Sequence, residues 1–391
     1  MKLVVVGLGQ CGGRIADEFV RLNRKAHSQR GIEIVTGAFA VNTDAADLSG
    51  LQYIPPDYQH RILIGGRRTG GHGVGKINEL GAEVAKEDAD KIVDAIRTAK
   101  RFFETDAFLV TAGVAGGTGS GAIPIVTQMI RDRYGDKPTY GMAILPFAHE
   151  EQTEERTIYN VATSLKSLYK VSDAIFLIDN QRYVRKDFSL RNNLSKINSL
   201  IVEQFYSMLC AGEEKKSKHI GAKMLDAGDI IQSLAGWTVI GYGKSPLPLF
   251  RWFHIFSRNF IKKSTETHRG IQAMDEAMSE LSLKCNPADS GRALYLVSAP
   301  AKEMNMDLVK ELADYLRGMS PQAVIRNGDY PREKSALDVT VVLSEFNALD
   351  RIRGYFERAT DVIHNLKGRR GEFEGKLREI DDLSKDIPSL L

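Results

Sequence analysis

The chain has 391 residues, enough for about two or three domains with cores that need neither a disulfide nor a metal. Hydrophobic residues make up 43%, charged residues 26%, and the formal net charge is +3, which excludes a disordered chain, a collagen-like repeat and a strongly basic nucleic-acid binder. Three widely separated cysteines exclude a disulfide scaffold and favour a reducing, cytoplasmic setting.

Strands and helices alternate through the first half of the chain. Residues 3–6 form a short β-branched run that predicts a buried strand, and a glycine loop and a helix over about 12–23 follow it. The remaining predicted elements of this half are strands at 32–41, 61–64, 106–111, 140–145 and 173–178 and helices at 88–103 and 122–133. This alternation predicts an α/β fold with a parallel sheet and crossover helices.

Beyond residue 194 the pattern changes. Apolar residues at spacings of three and four predict a long amphipathic helix from Leu194 to Leu209, ending near Gly212. A smaller α/β domain is predicted to start near Thr238, with strands at 293–298, 323–326 and 337–343 and helices at 307–317 and 349–365. The predicted division is 1–193 for the N-terminal domain, 194–237 for the central helix and the loop after it, 238–366 for the C-terminal domain and 367–391 for a tail.

Two glycine-rich loops each join a predicted strand to a predicted helix. The first is Gly7-Leu8-Gly9-Gln10-Cys11-Gly12-Gly13, and the second is Ala115-Gly116-Gly117-Thr118-Gly119-Ser120-Gly121, where Ser120 is predicted to cap the helix. Backbone N–H groups in such loops and at helix N-termini bind phosphate, and glycine permits the close approach. Neither loop contains the G-K-[ST] sequence of a P-loop, which argues against that class of NTPase.

The spacing of Gly7, Gly9 and Gly12 also matches G-x-G-x-x-G, so an NAD-dependent oxidoreductase is an alternative. A dinucleotide site needs an acid about 20 residues later, at the carboxyl end of the second strand. Glu33 has that spacing but lies at the start of the predicted strand, whereas Asn42 lies at its carboxyl end. We therefore favour a different phosphate-bearing ligand.

The order of the motifs resembles that of the tubulin/FtsZ superfamily. Residues 116–121 resemble its signature loop, and residues 9–12 resemble the first nucleotide loop of tubulins. Residues 40–44, Ala-Val-Asn-Thr-Asp, look like the second loop in its FtsZ form, and the glycine-rich residues 65–75 look like the third. The resemblance covers about residues 1–245. Among the branches, loop 71–75, segment 78–83 and Asp179-Asn180 look most like the archaeal CetZ group.

This resemblance implies a tubulin/FtsZ-like GTPase that uses GTP, GDP and Mg²⁺ and assembles head to tail with copies of itself into protofilaments. Asn180 and Asn198 would bind the guanine edge, because an amide both donates and accepts; without the resemblance they read as a turn residue and a surface helix residue. Glu150 would hold the ribose, with Glu151 as the neighbouring alternative, and Leu194 lies near the usual base-stacking position. The other nucleotide contacts implied are Gly9, Gln10, Cys11, Gly12, Gly13, Arg14, Asn42, Gly71, Gly73, Gly116, Gly117, Thr118, Gly119 and Ser120.

Asp226 and Asp229 are the candidate catalytic residues. They are three residues apart, on one helix face if the helix begins at Asp226, and could polarise a water in line with a γ-phosphate. In the family this loop enters the neighbouring subunit's nucleotide pocket, so hydrolysis would require assembly. Alternatively, Asp226 caps a helix and Asp229 favours its positive end. Met224 stands where FtsZ carries asparagine, which motivates a second alternative, a GTP-binding scaffold or regulator with little hydrolysis.

Segment 250–260 alternates aromatic and basic residues. This pattern predicts a core and subunit-interface helix, with contact to a membrane or a membrane adaptor as the alternative. The near-neutral charge argues against nucleic acid as a partner, and the histidine and cysteine spacing predicts no metal site. The resemblance to CetZ points by analogy to control of cell shape.

Overall fold

The computed structural model describes residues 1–184, 190–247, 259–333 and 335–361. The strands are β1 (Leu3–Leu8), β2 (Val35–Asn42), β3 (Arg61–Leu63), β4 (Ala107–Gly113), β5 (Thr139–Leu145), β6 (Ala174–Asp179), β7 (Gly236–Pro246), β8 (Ser290–Ala299), β9 (Val324–Pro331) and β10 (Ala336–Phe346). The helices are α1 (Gly9–Arg30), α2 (Ala45–Ser49), α3 (Gly66–Thr69), α4 (Asn78–Glu87), α5 (Ala89–Arg97), α6 (Thr118–Arg133), α7 (Ala148–Thr153), α8 (Glu155–Val171), α9 (Leu190–Glu203), α10 (Tyr206–Ala211), α11 (Ala227–Ser233), α12 (Asn259–Ser279), α13 (Met306–Met319) and α14 (350–361).

The described strands form one continuous sheet of ten, in the order β3-β2-β1-β4-β5-β6-β7-β10-β8-β9. From β3 to β6 all neighbours are parallel, which confirms the predicted α/β fold. β7 is shared by both halves: its first residues, 236–238, pair in parallel with β6, and residues 239–246 pair antiparallel with β10. The predicted domain boundary near Thr238 therefore falls inside a strand.

Both faces of the parallel part of the sheet are buried, because side chains of β1 alternate between two cores. Val4 and Val6 pack in the core beneath α4, α5, α6 and α8, and Val5 packs in the core beneath α1, α9 and α10. All three valines are completely buried. Each such side chain contributes about 1.5–3 kcal/mol of hydrophobic stabilisation, which holds the strand ends in fixed positions.

The helices that follow the first and second glycine loops, α1 and α6, are longer than predicted. α1 continues to Arg30 and ends at Gly31, where a φ of 70° suits glycine. α6 begins at Thr118, so Gly121 lies within the helix. A Cβ on Gly121 would lie 2.0 Å from the carbonyl oxygen of Asn78, so glycine here allows α6 to pack closely on α4. This neighbour is not visible in the local sequence.

Other predicted elements are divided, and some helices had no prediction. The predicted helix 194–209 consists of α9 and α10, with a break at Gln204 and Phe205. The predicted helix 88–103 is α5 followed by a 3-10 turn at Phe102–Glu104. The loop 65–75, in which no helix was expected, contains the single turn of α3. α4, α7 and α8 were not predicted.

The chain between α10 and β7 lies at the amino edge of the sheet. The Met1 ammonium group, at the amino end of β1, donates to the carbonyl oxygen of Leu209 at 3.0 Å and pairs with Glu213 at 3.0 Å. Gly236 begins β7 opposite Ala174, the first residue of β6. The carboxyl edge is one strand length away, about 16 Å at about 3.3 Å per residue.

Two predicted segments lie outside the described residues. The aromatic and basic segment is described only from residue 259, where α12 begins, and the tail 367–391 is not described. None of the helices that the structure describes is long and apolar enough to cross a membrane.

Candidate nucleotide-binding site

A cavity of about 370 Å³ opens at the carboxyl edge, where β1, β4 and β5 end. Ligand sites of parallel α/β sheets form at this edge, because loops from several strands meet there. The cavity is lined by many of the predicted nucleotide contacts: Gly9, Gln10, Cys11, Arg14, Asn42, Gly73, Gly116, Gly117, Thr118, Gly119, Glu150, Asn180 and Asn198. Residues that were predicted from separate motifs along the chain therefore line one cavity.

Two helix N-termini meet at this cavity. α1 has 22 residues and α6 has 16, and neither has a side-chain cap or an acidic residue in its first turn. They are close together, because a Cβ on Gly9 would lie 3.0 Å from the backbone nitrogen of Gly119. The first N–H groups of a helix have no partner within it and carry partial positive charge. Their convergence suits an anion such as phosphate.

Glycine is required in the second loop for two different contacts. A Cβ on Gly117 would lie 2.5 Å from Val74, in the third glycine loop, and one on Gly119 would lie 2.8 Å from the carbonyl oxygen of Gly113. At Gly116 a Cβ would meet nothing within 4 Å. The loop is thus wedged between β4 and residues 73–77, with Gly116 facing open space.

A buried side chain from α8 holds this loop in place. Asn160 is completely buried, and its Nδ2 donates to the carbonyl oxygens of Ala115 and Gly116 at 3.0 Å and of Lys76 at 2.9 Å. One amide therefore ties the second glycine loop to the third. Sequence reasoning missed Asn160, because it lies about forty residues beyond the loop on a helix that was not predicted.

Gly12, Gly13, Gly71 and Ser120 were predicted as contacts but do not line the cavity. Gly12 allows α1 to approach β4, since a Cβ there would lie 2.1 Å from the carbonyl oxygen of Thr111. Ser120 was also predicted to cap α6, and this is wrong: it lies inside the helix, where its hydroxyl donates to the carbonyl oxygen of Gly116. These residues shape the loops around the cavity.

The segment at the end of β2, residues 40–44, forms a small polar network with its neighbours. Asn42 is buried, accepts a hydrogen bond from the backbone N–H of Thr43 at 2.8 Å and donates to Asp47 at 3.1 Å. Gln10 donates to the other oxygen of Asp47 at 2.7 Å. Asp44 caps α2. Asp44 and Asp47 also line the cavity, so carboxylates that were not predicted as contacts lie in its wall.

Glu150 and Glu151 point to different parts of the molecule. Glu150 lines the cavity and accepts a hydrogen bond from the backbone N–H of Phe147 at 2.9 Å, which closes the turn before α7. The Glu151 side chain is only 6% exposed and pairs with Arg351 at 2.5 Å and Arg358 at 2.9 Å, both on α14. Of the two glutamates, only Glu150 lines the cavity, and Glu151 is a contact between the two halves.

The other end of the cavity is lined by amides and apolar side chains. Asn180 follows β6 directly, and Asn198 comes from α9 and is 9% exposed. Leu194, which was predicted near the base-stacking position, also lines the cavity, and so does the aromatic ring of Phe147, which was not predicted. Burial raises the pKa of the Cys11 thiol to about 12, so this cavity residue is a neutral thiol at pH 7.

The two candidate catalytic carboxylates lie elsewhere. Asp226 is exposed and caps α11 by accepting a hydrogen bond from the backbone N–H of Asp229 at 2.8 Å, so the predicted cap is present, which is compatible with a catalytic role. Asp229 lies 3.8 Å from Arg326 of β9. The helix begins at Ala227, one residue later than the carboxylate pairing assumed. Both residues belong to the amino edge of the sheet, and neither lines the cavity.

Two known family models together match residues 2–361 of the chain. Residues 2–186 match the Tubulin/FtsZ family GTPase domain, and residues 187–361 match the C-terminal domain of tubulin-like CetZ proteins. The tubulin-like protein CetZ1 of Haloferax volcanii is 32% identical, over 94% of this chain and 94% of its own length. The chain belongs to the CetZ family. A CetZ protein of Pyrococcus abyssi is also 32% identical, over 97% of this chain and 95% of its own length.

Solved CetZ structures have the same fold. A GDP-bound CetZ1 monomer from Haloferax volcanii superposes with a TM-score of 0.78 at 30% identity, covering 92% of this chain and 99% of that one. A CetZ2 protofilament from the same organism, bound to GTPγS, gives 0.79 at 26% identity, covering 94% and 100%. The tubulin/FtsZ resemblance and its CetZ branch are therefore confirmed, and the N-terminal half is a member of a GTPase domain family.

Proposed function

We propose that this CetZ protein binds GTP and GDP in the cavity, assembles head to tail and hydrolyses GTP at the joints between subunits. The separation of the two groups of functional residues carries the proposal. The phosphate-binding loops lie at the carboxyl edge of the sheet, and Asp226 and Asp229 lie at the amino edge. Stacking by translation brings the amino edge of one copy onto the carboxyl edge of the next, a heterologous contact that forms filaments.

Within the cavity, the nucleotide phosphates would lie at the N-termini of α1 and α6. Thr118 begins α6, and its hydroxyl shares a 2.6 Å hydrogen bond with that of Thr43. This bond holds the segment 40–44 against the glycine loop 115–121. Asn180 and Asn198 would bind the guanine edge and Glu150 the ribose hydroxyls. Leu194 and Phe147 would cover the faces of the base.

Mg²⁺ fits the chemistry of this wall. The described residues contain no cluster of three or more histidine, cysteine or carboxylate groups that could hold a metal by itself. Mg²⁺ at nucleotide sites is held mainly by phosphate oxygens and waters with one or two carboxylates, and Asp44 and Asp47 line the cavity beside the phosphate loops. When bound there, Mg²⁺ would neutralise charge on the phosphates.

Hydrolysis would require a second copy to supply Asp226 and Asp229. Asp226 is exposed and uses Oδ1 to cap α11, and Oδ2 has no hydrogen-bond partner among the described residues, so the side chain can cap its helix and still present a carboxylate oxygen to a neighbour. Both carboxylates would position and polarise the attacking water, since phosphoryl transfer depends mostly on positioning and electrostatics. The GTPγS-bound CetZ2 protofilament supports assembly in this fold. A role in cell shape in the cytoplasm follows by analogy.

The test is GTP turnover per molecule against protein concentration, in Mg²⁺, with light scattering recorded in parallel. We expect turnover to begin above a threshold concentration, together with scattering. A measurable rate that is independent of concentration would contradict the shared site. Tight GTP binding without turnover at any concentration would instead favour a GTP-binding scaffold, the alternative suggested by Met224.

A further inference from the structure

A second cavity, of about 550 Å³, lies at the amino edge, between the two halves of the molecule. None of its lining residues belongs to the nucleotide cavity. It is enclosed by the end of α1, by α10, by the turn at Ser217–His219 and by residues that follow β9. The lining residues are Lys25, Gln29, Arg30, Glu203, Tyr206, Ser207, Lys216, Lys218, His219, Tyr242, Arg332 and Glu333.

Arg332 is the central residue of this cavity. It is only 6% exposed, and its guanidinium group lies over the rings of Tyr206 and Tyr330 at 5.0 and 5.4 Å. Nη1 donates to the hydroxyl of Ser207 at 2.8 Å, while the buried Nε has no hydrogen-bond partner among the described residues. No carboxylate of the described chain forms an ion pair with Arg332. A buried cation without a counter-ion is costly unless something else supplies one.

The acids near the cavity are already engaged by other cations. Glu203 pairs with Lys25 at 2.8 Å and with Arg21 at 3.3 Å. Behind the wall, the buried Glu214 lies 3.5 Å from Arg30 and accepts a hydrogen bond from Tyr330. Burial raises the pKa of the cavity-lining Tyr242, and the buried Asp338 beside it raises that pKa further. The lining residues nevertheless include five lysines and arginines against two glutamates, so the cavity keeps an excess of positive charge.

The rim adds further positive charge. Lys216 is exposed and forms no ion pair within the described residues, and Lys218 pairs at 3.1 Å with the exposed Glu333. Burial lowers the pKa of His219, and the charges of Arg30 and Lys218 lower it further, against the opposing effect of Glu214.

We propose that this basic cavity binds a small molecule carrying two or more linked phosphate groups. The guanidinium group of Arg332 can donate to a phosphate oxygen through the N–H groups that Ser207 and burial leave accessible, and lysines at the rim supply charge to a second phosphate. The depth of Arg332, between two tyrosine rings, selects a compact anion over an extended polyanion such as nucleic acid. The site is separate from the GTP cavity, and its occupation does not depend on the proposed function.

The test is calorimetric titration, with inorganic pyrophosphate and tripolyphosphate, of protein that carries one bound GDP per chain and has been freed of excess nucleotide. GDP keeps the phosphate loops at the carboxyl edge occupied, and sodium sulfate at matched ionic strength controls for general screening. We expect one site per chain, with tripolyphosphate binding more tightly than pyrophosphate and sulfate binding weakly. Arg332→Met is expected to weaken binding by about ten- to a hundredfold, because charge-assisted hydrogen bonds are lost. Equal weak binding of all three anions would overturn the proposal.

A second pair of variants decides the matter if Arg332→Met does not fold. Lys216→Glu with Lys218→Glu changes only exposed rim residues, and Lys166→Glu with Lys170→Glu makes the same charge change on the exposed face of α8. The rim pair is expected to abolish tripolyphosphate binding and the α8 pair to preserve it. Equal loss in both would reduce the effect to net charge and overturn the proposal.

Two further experiments distinguish a soluble ligand from a lipid headgroup as the source of the phosphate groups. Binding of ATP to the same GDP-loaded protein, with the same dependence on the rim lysines, would identify a soluble phosphorylated metabolite. Flotation with vesicles containing a bisphosphorylated inositol lipid, but no calorimetric binding of free polyphosphate, would overturn the small-molecule site in favour of a lipid surface.

Discussion

The two edges of the sheet differ in how complete they are. At the carboxyl edge, two helix N-termini, three glycine loops and the amide of Asn160 form a cavity within one chain. At the amino edge, Asp226 and Asp229 lie at the start of α11, where the partners found among the described residues are a helix cap and one arginine. The difference teaches that nucleotide binding can be built into one subunit, while the proposed hydrolytic step needs a second.

The physical reason lies in what each task requires. Binding a phosphate requires backbone N–H groups in fixed positions, and a densely packed core within one chain holds the backbone in place. A carboxylate buried beside the phosphates in one chain would repel them at all times. Asp44, Asp47 and Glu150 already place carboxylates in the cavity wall, and keeping Asp226 on the opposite edge avoids adding another beside the phosphates.

Replacing Asp226 tests the comparison most strongly. Asp226→Asn keeps the cap of α11, because asparagine caps as well as aspartate, but removes the charge. We expect GTP turnover to fall by about a hundred- to a thousandfold, with nucleotide affinity and melting temperature unchanged. Turnover, fluorescent-GDP binding and thermal unfolding are the measurements. Normal turnover would place the water-activating group elsewhere.

Mixing two variants sharpens the same point. Gly119→Ala places a Cβ 2.8 Å from the carbonyl oxygen of Gly113, so α6 has to shift away from the phosphates. We expect it to lose at least about tenfold in GTP affinity, because the N-terminus that binds the anion moves. Gly116→Ala is the matched control, since its Cβ meets no atom within 4 Å.

At a GTP concentration that fills the intact cavity but not the Gly119→Ala cavity, a mixture of Asp226→Asn and Gly119→Ala proteins is expected to turn over more GTP than either variant alone. One contributes an intact cavity and the other an intact Asp226. Light scattering verifies that mixed assembly occurs. Scattering without recovered turnover would show that each copy uses its own carboxylates.

The adjacent glutamates provide the smallest expected effects. Glu151→Gln removes the charge that pairs with Arg351 and Arg358, and we expect a loss of about 1–3 kcal/mol in unfolding free energy, reduced by the partial exposure of both arginines. Glu150→Gln keeps the turn before α7, because glutamine can accept the same backbone hydrogen bond. Its expected effect is a GTP affinity about three- to tenfold lower with unchanged stability. A reversed pattern would exchange their roles.

Much of the nucleotide cavity was readable from the sequence because its residues lie in short motifs directly after strands. Asn42 ends a β-strand, and Gly116 to Thr118 and Asn180 come shortly after one, so their position at the carboxyl edge follows from the parallel sheet. Asn160 and Glu151 could not be assigned in this way. Their roles depend on contacts with residues far along the chain, to the glycine loops and to α14, which no local pattern records.

The same limit explains the errors in the helices. Ser120 looked like a cap because a hydroxyl near a helix start usually is one, but α6 extends through the glycines to pack on α4. The break at Gln204 and Phe205 preserves the apolar spacing on both sides, so periodicity alone predicts one helix.

β7 has a consequence for any attempt to divide the protein. Its first residues complete the edge of β6, and the rest complete the edge of β10. Cutting the chain between α11 and β7 would leave each fragment with an unpaired strand edge. The free N–H and C=O groups of such an edge tend to pair with another strand. The two halves are therefore complementary fragments of one sheet, each the best available partner for the other, and would serve as a split pair whose reassociation reports their encounter.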